Sequence, residues 1–421
     1  MLGAPHWSRV AVALTPAETM PGIKRPDVPP DSLFIHCWSQ RKHASRMHDT
    51  DSTLPTVPTP ATLRSHYEQV VLPIWRGPGF NTTLQLAFEA VAADGRTPSP
   101  PSRYRAMACA RQLFVFSRAG DKVHADLLFD SLRHYFQDKQ NGGWFYSVDA
   151  NGAPKERQKD LYTHAFVVFA CAEYARRSHR ADALAVLHET SALIETRFAG
   201  RDGSVAGASL NAVMSEDFAT VIGTPLQNPL MHLTEAWLAA LDTTGDAVFD
   251  RRLETLAAGI ARDFVHQATG CIAEMPIGSA GNLLEPGHQF EWLFLVEASG
   301  HEAFDASGLT WAMSSAFDFA QRFGVDPLTG GVAAALDENG RIVDSGQRIW
   351  AQTEYLRALA THGDEAARER LPRQIELFAA RFLTPRGWIE CRSAEGAITR
   401  AEMPSTTPYH LATAYAGLPS D

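Results

Sequence analysis

Cysteine, long apolar runs and clustered positive charge are all scarce in this chain. The five cysteines (Cys37, Cys109, Cys171, Cys271 and Cys391) are odd in number, scattered, and never spaced as C-x-x-C. That excludes a disulfide framework or a zinc knuckle and fits a reducing compartment, so a cytoplasmic protein is expected. No stretch approaches the roughly 20 apolar residues of a membrane helix. The run from Val10 to Leu14 is too brief for a secretory signal. Formal charge is −10, and lysine and arginine never cluster. Nucleic acid and anionic membranes are therefore not the expected partners. No glycine-rich phosphate loop is present either.

Proline is abundant only at the start. Residues 1–60 carry PGIKRPDVPPDS and DSTLPTVPTPAT, with no helical or strand periodicity, and read as a disordered leader. Met47 is an alternative start within it. From Thr62 the pattern changes, and twelve segments follow with apolar residues at the 3.6 period. Several meet at very short joints, AG–DK at 119–122, TG–DA at 244–247 and HG–DE at 362–365. A glycine ending one helix beside an aspartate capping the next makes an antiparallel αα-hairpin. Six hairpins repeating every ~50–60 residues read as a solenoid able to close on itself. The expected fold is all-α, an (α/α)6 barrel occupying residues 61–421 as one domain. Segments apolar nearly all round, such as LYTHAFVVFACAEYA, should line the interior, and amphipathic ones such as DAVFDRRLETLAAGIARDFV should lie outside. Turn-rich stretches such as NGGWFYSVDANG should form short β-hairpins over one mouth.

The inner segments carry polar groups near their starts: Arg111 in the second helix, His164 in the fourth, Asn228 and His232 in the sixth. His288 and Glu291 stand in the eighth, Trp350 and Glu354 in the tenth, and His410 in the twelfth. A barrel would gather them at one end. For each there is a plain alternative: His164 and His232 as core histidines, Asn228 as a helix cap, Arg111 and the glutamates as structural ion pairs. His288-x-x-Glu291 has the i, i+3 facing of carboxylate metal sites, but the sequence offers no second such pair, so no metal and no cofactor is expected.

In order along the chain, RQLFVFSRAG, GGWFYSVDANG, KDLYTHAF, NPLMHLTEAW, EPGHQFEW, RIWAQTE and PYHLATAY resemble the N-acylglucosamine 2-epimerase superfamily. The resemblance covers roughly Thr62 to Leu418. It implies the barrel reached above and the interconversion of unphosphorylated sugars without metal. By motif, His288 and His410 fall on the family's acid/base pair. Arg111, Asn228, His232, Glu291, Trp350 and Glu354 fall on sugar-binding or proton-transfer positions, and His164 joins the substrate-binding set. The histidine in NPLMH, the histidine in KDLYTHAF and the R-x-W-x-Q-T-E pattern resemble the mannose and sulfoquinovose isomerase branch, although Ala351 stands where that branch has proline.

These residue types suit aldose–ketose chemistry. Moving a proton between C1 and C2 needs a base titrating near neutrality, which is the range of histidine. His288 follows Pro286 and Gly287 at a helix start, where backbone N–H groups disfavour an imidazolium. Glu291 one turn on acts in the opposite sense. Arg111 and His232 are candidates to face an enediolate oxygen, and Trp350, with Trp292 beside it, offers a plate to a pyranose face. The expected activity is an isomerase of the D-mannose/D-fructose type. A sugar 2-epimerase of the same family (N-acylglucosamine or cellobiose type) is the nearest rival. An inverting glycoside hydrolase using Glu291 and Glu354, or Glu216 and Asp217, is a further one. The partner is a monosaccharide, and a homo-oligomer is compatible with the sequence.

Overall fold

The computed structural model describes residues 57–200 and 210–420. The expected leader therefore lies almost wholly outside the described residues. The helices are α1 Pro60–His66, α2 Leu72–Arg76, α3 Ala106–Arg118, α4 Lys122–Ser131, α5 Leu161–Ser178, α6 Ala181–Arg197 and α7 Gln227–Thr244. They continue as α8 Val248–Asp263, α9 Pro286–Ser299, α10 Glu302–Ser307, α11 Leu309–Gly324, α12 Ile349–His362, α13 Glu365–Phe382 and α14 Thr407–Gly417. A π-helical turn, Tyr67–Val71, joins α1 to α2, so the first expected helix is one continuous rod. The ninth expected helix is instead two, α10 and α11, because Gly308 takes φ +80° between them. L side chains rarely adopt that conformation, and glycine does so freely.

Two of the three short joints cap as their sequence implies, and at the third Ala247 takes the cap position of α8 while Asp246 accepts from Val248 N–H. Asp121 and Asp364 cap α4 and α13 by accepting from His124 N–H and Ala367 N–H, and Gly245 and Gly363 end α7 and α12 in the left-handed conformation. Such tight links fold each helix back on its predecessor. Helices α3, α5, α7, α9, α12 and α14 pack in succession, and α14 lies against α3. Their partners α4, α6, α8, α11 and α13 pack on the outer side of this row, and α1 packs on α14. The division follows side-chain chemistry. Leu161, Val167, Val168 and Ala170 on α5 are fully buried, whereas α8 alternates buried Phe249, Leu253 and Leu256 with exposed charge.

Loops after the outer helices make small antiparallel hairpins, as expected for the turn-rich stretches. Ser147–Val148 pairs with Pro154–Glu156, Val213–Met214 with Val221–Gly223, Ala335–Leu336 with Ile342–Asp344, and Cys391–Arg392 with Ile398–Arg400. Three of these hairpins add a third strand taken from the residues just before an inner helix: Tyr104–Arg105, Lys159–Asp160 and Gln347–Arg348. The starts of α3, α5 and α12 are thereby each stapled to a hairpin that comes later in the chain. The backbone N–H groups of Ala106, Leu161, Gln227 and Ile349 donate to the carbonyls of Tyr146, Ala212, Glu274 and Glu390, at 2.9–3.1 Å. The four described cysteines are free. No described helix is long and apolar enough to cross a membrane.

Candidate active site

The N-terminal ends of α7, α9, α12 and α14 converge on Trp350. Its ring lies 5.0 Å from the imidazole of His288 and 5.6 Å from that of His410, centroid to centroid, and is tilted against both. Two histidines 122 residues apart in sequence thus share one aromatic plate. Gly287 makes this possible. A Cβ there would stand 2.7 Å from Trp350 Cη2 and 2.8 Å from the Ala351 Cβ. The Pro-Gly pair ahead of His288 therefore starts α9 and also leaves room for the plate. Gly287→Ala should lower stability by about 1–3 kcal/mol through overpacking and displace Trp350. A thermal melt together with a raised KM would register both effects, and an unchanged melt would show that the contact is not tight.

His288 is buried, and its Nδ1 lies 2.7 Å from Glu274 Oε1 and 3.6 Å from Glu285 Oε2. Gln227 Nε2 donates to both oxygens of Glu274, and Trp292 Nε1–H donates to Gln227 Oε1. This chain of bonds fixes the amide of Gln227 and turns the Nδ1–H of His288 toward the carboxylate. Burial opposes an imidazolium here, but Glu274 and Glu285 outweigh it and raise His288 to about 9. The opposing pulls that the sequence left open at this ring are thus decided by two carboxylates, which exceed the field of one helix terminus. Trp292 is also reassigned. It is fully buried behind the histidine and serves as a strut for Gln227.

His410 has the opposite environment. Its Nδ1 lies 2.8 Å from Glu354 Oε1, and Glu354 Oε2 contacts the guanidinium of Arg357 one helical turn on. Burial holds His410 well below its ordinary pKa, and Arg111, His232, Arg357 and Arg348 add to the effect. Burial also pushes the Glu354 carboxyl well up, against the pull of Arg357. No described residue hydrogen-bonds to Nε2 of either His288 or His410. One imidazole is therefore held protonated and the other neutral, and both offer their outer nitrogen beside the same plate. Groups whose surroundings push their pKa values apart are what acid–base catalysis requires.

Beneath the plate lies a buried charged layer. His232 Nδ1 is 3.2 Å from Glu235 Oε2 and 4.0 Å from Glu291 Oε1, and Glu291 is 3.6 Å from Arg357. Tyr409 donates to Glu235. Arg111 donates to Tyr162 Oη at 2.6 Å and lies over the rings of Phe166 and Tyr409, at 4.1 and 4.8 Å from their centroids. Glu291 thus pairs into this layer, and the carboxylates bonded to His288 come from elsewhere. Carboxylate and imidazole atoms gather in three groups: His232–Glu235–Glu291, Glu274–Glu285–His288 and Glu291–Glu354–His410. The sequence reading that His288-x-x-Glu291 has no second such pair is corrected: His232-x-x-Glu235 is one, at the same i, i+3 spacing, and Glu274 and Glu354 reach the other groups from a loop and a distant helix.

Two expected residues lie elsewhere or differ in role. His164 is fully buried with both ring nitrogens engaged, Nδ1 with the Asp160 carbonyl and Nε2 with Trp144 N–H. It ties the 142–146 loop to α5 and has no bond to the cluster. Asn228 is not the helix cap, because α7 begins one residue earlier with Leu226 in that position, and its Oδ1 is buried without a partner. The hydrolase pairs are not arranged for inversion. Oxygens of Glu291 and Glu354 lie within 4.8 Å of one another, whereas that mechanism needs carboxyl groups about 6.5–9.5 Å apart. Glu216 is paired with Arg157 near the surface.

Sequence reasoning missed Gln227, Glu235, Glu274, Glu285 and Arg357. A signal for Glu274 exists in the loop repeat: GGWFY at 142–146, GCIAE at 270–274, GGVAA at 330–334 and RGWIE at 386–390 align residue for residue. Their third residues all form the bridge that closes the turn after an outer helix.

The model of the N-acylglucosamine 2-epimerase (GlcNAc 2-epimerase) family matches residues 87–414. The chain belongs to that family of sugar isomerases and epimerases. It is 28% identical over 372 residues to a mannose-6-phosphate isomerase of Rhizobium meliloti, covering 81% of this chain and 91% of the relative. It is 30% identical over 294 residues to a D-mannose isomerase of Pseudomonas cannabina, covering 63% and 68%. Its fold is that of the cellobiose 2-epimerase of Bacillus thermoamylovorans, with TM-score 0.74, 20% identity, and 85% and 98% of the two chains covered.

Proposed function

We propose that the protein is a metal-independent aldose–ketose isomerase acting on an unphosphorylated hexose of the D-mannose/D-fructose type, within a closed (α/α)6 barrel. The observation that carries this reading is the pair of histidines with opposite proton preference beside Trp350. His410, neutral with its Nε2 free, takes the C2 proton of the opened aldose. Its Nδ1–H meanwhile leans on Glu354, a strong proton acceptor. His288, as imidazolium, gives its Nε2 proton to the carbonyl oxygen at C1, leaving an enediol. His410 then returns its proton to C1, and His288 recovers a proton from the C2 hydroxyl as the ketone forms. Protons balance over the cycle. Arg111 and His232 flank the developing charge, and Trp350 packs on the C–H face of the sugar. Relatives named D-mannose isomerase support the substrate class, while one named mannose-6-phosphate isomerase shares the sugar and differs in the phosphate.

Proton NMR of the purified protein with free aldoses in D2O, with and without EDTA, tests the proposal. Appearance of a ketose at the same rate in both supports it. A C2-epimeric aldose alone would move the assignment to the 2-epimerase reading, which the shared fold with cellobiose 2-epimerase favours. Loss of turnover in EDTA would overturn metal independence.

A further inference from the structure

The loop repeat places a second carboxylate where Glu274 has its counterpart. In RGWIE, Glu390 holds the position that Glu274 holds in GCIAE, and both main-chain carbonyls accept from the first N–H of an inner helix, α12 and α7 respectively. Each side chain then reaches the next inner helix along: Glu274 bonds His288 on α9, and Glu390 bonds Thr407 on α14, three residues before His410. The resemblance ends at the bonding pattern. Glu390 is 3% exposed, and both of its described donors converge on one oxygen: Thr407 Oγ1 at 2.8 Å and Trp388 Nε1 at 3.0 Å, both to Oε2. Neither donor is charged, and no arginine, lysine or histidine stands within ion-pair distance among the described residues. Oε1 accepts no hydrogen bond from any described residue and is not sealed from solvent.

A buried carboxyl group held by neutral donors, with one oxygen unused, is costly unless something fills the remaining site. Burial raises its pKa, as expected for such a group, with Arg348 lowering it only at a distance. The guanidinium of Arg348 stacks over Trp350 at 5.6 Å, on the residue just before α12. Glu390 therefore lies between Arg348 and the first turn of the helix that carries His410.

We infer that Glu390 is a substrate-recognition residue, whose free Oε1 accepts a hydroxyl of the sugar held on Trp350. This rests on the proposed isomerase reading and deepens it, since it assigns the hydroxyl-reading contact on the His410 side. A site built to bond a hydroxyl rejects analogues that lack it, because its own polar group is left unpaired.

The test compares the parent, Glu390→Gln and Glu390→Ala against D-mannose and its monodeoxy analogues. Binding of a hexitol, which cannot isomerise, is measured by calorimetry in parallel. The expected result is a kcat/KM lower by about 10–100-fold in Glu390→Ala, carried mainly by KM. That variant melts lower because Trp388 Nε1–H and Thr407 Oγ1–H lose their acceptor, and Glu390→Gln, which keeps an acceptor for them, melts close to the parent. One deoxy analogue should lose its penalty in that variant while the others keep theirs, and Glu390→Gln should restore part of the affinity. Equal penalties in parent and variant across the whole series would overturn the inference, as would a fall in kcat at constant KM. A parent that binds the hexitol through Glu390 yet converts no sugar would instead fault the isomerase reading and leave this contact standing.

Discussion

His410→Gln should reduce kcat by about 10²–10⁴, the range one positioned proton-transfer group supplies. The melting temperature should move by only a few degrees. The surroundings of the ring matter here more than its type. Nδ1 is committed to Glu354 while Nε2 has no bond to any described residue, so the catalytic edge is removed without stranding a hydrogen bond at Nε2. Glutamine's amide can still donate to Glu354. His288→Gln should cost a similar factor, and the double variant should be little worse than either single one, because the two rings act in one proton cycle and such losses do not add. Steady-state kinetics with D-mannose decide this. A His410→Gln enzyme within tenfold of the parent would remove this residue from the chemistry and leave the base to His232.

The two histidines were legible in sequence because each opens a helix behind a proline-containing turn, and so were the twelve helical segments, whose apolar period is set by what each face buries. What the period could not show is which charged groups meet across the assembly. Glu274 comes from a loop 14 residues before His288, and Glu354 reaches His410 from a neighbouring helix, 56 residues away. Neither separation corresponds to a helical or strand period. Local rules also left the charge of His288 open, since helix-terminus logic considers one dipole and not two carboxylates delivered from outside the helix. His164 illustrates the opposite case. Its motif is that of a site residue, yet the 142–146 loop folds over it and engages Nε2 while the Asp160 carbonyl engages Nδ1. Arg357 stands one turn beyond Glu354 and could have been found by i, i+3 spacing alone.

Glu274→Gln should separate acid catalysis from packing. In the parent, His288 loses its proton only around pH 9, although burial alone would drive it below its ordinary value. If the imidazolium is the working acid, kcat/KM stays level through neutrality and falls as pH rises through about 9. His410 is held well below its usual range, so it adds no acidic limb near neutral pH. Glutamine keeps the size of Glu274 and can bond Gln227, but it removes the nearest negative charge. The alkaline limb should then move down toward neutrality, lowering kcat/KM at pH 8 by roughly 10–30-fold if the ring returns near its ordinary pKa of about 6.5. At pH 6 the variant should be nearly as active as the parent. Stability should follow the same linkage. A pKa raised on folding contributes stability that is complete below the unfolded value and lost as pH rises through the folded one. The melting difference between parent and variant should therefore be largest near pH 6 and vanish above about 9, while the activity difference has the reverse trend between pH 6 and 8. An alkaline limb that stays in place in Glu274→Gln would mean that Glu285 alone sets the charge on His288, or that another group is the acid. A uniform loss of activity at every pH would assign Glu274 to orientation of the ring instead of its protonation.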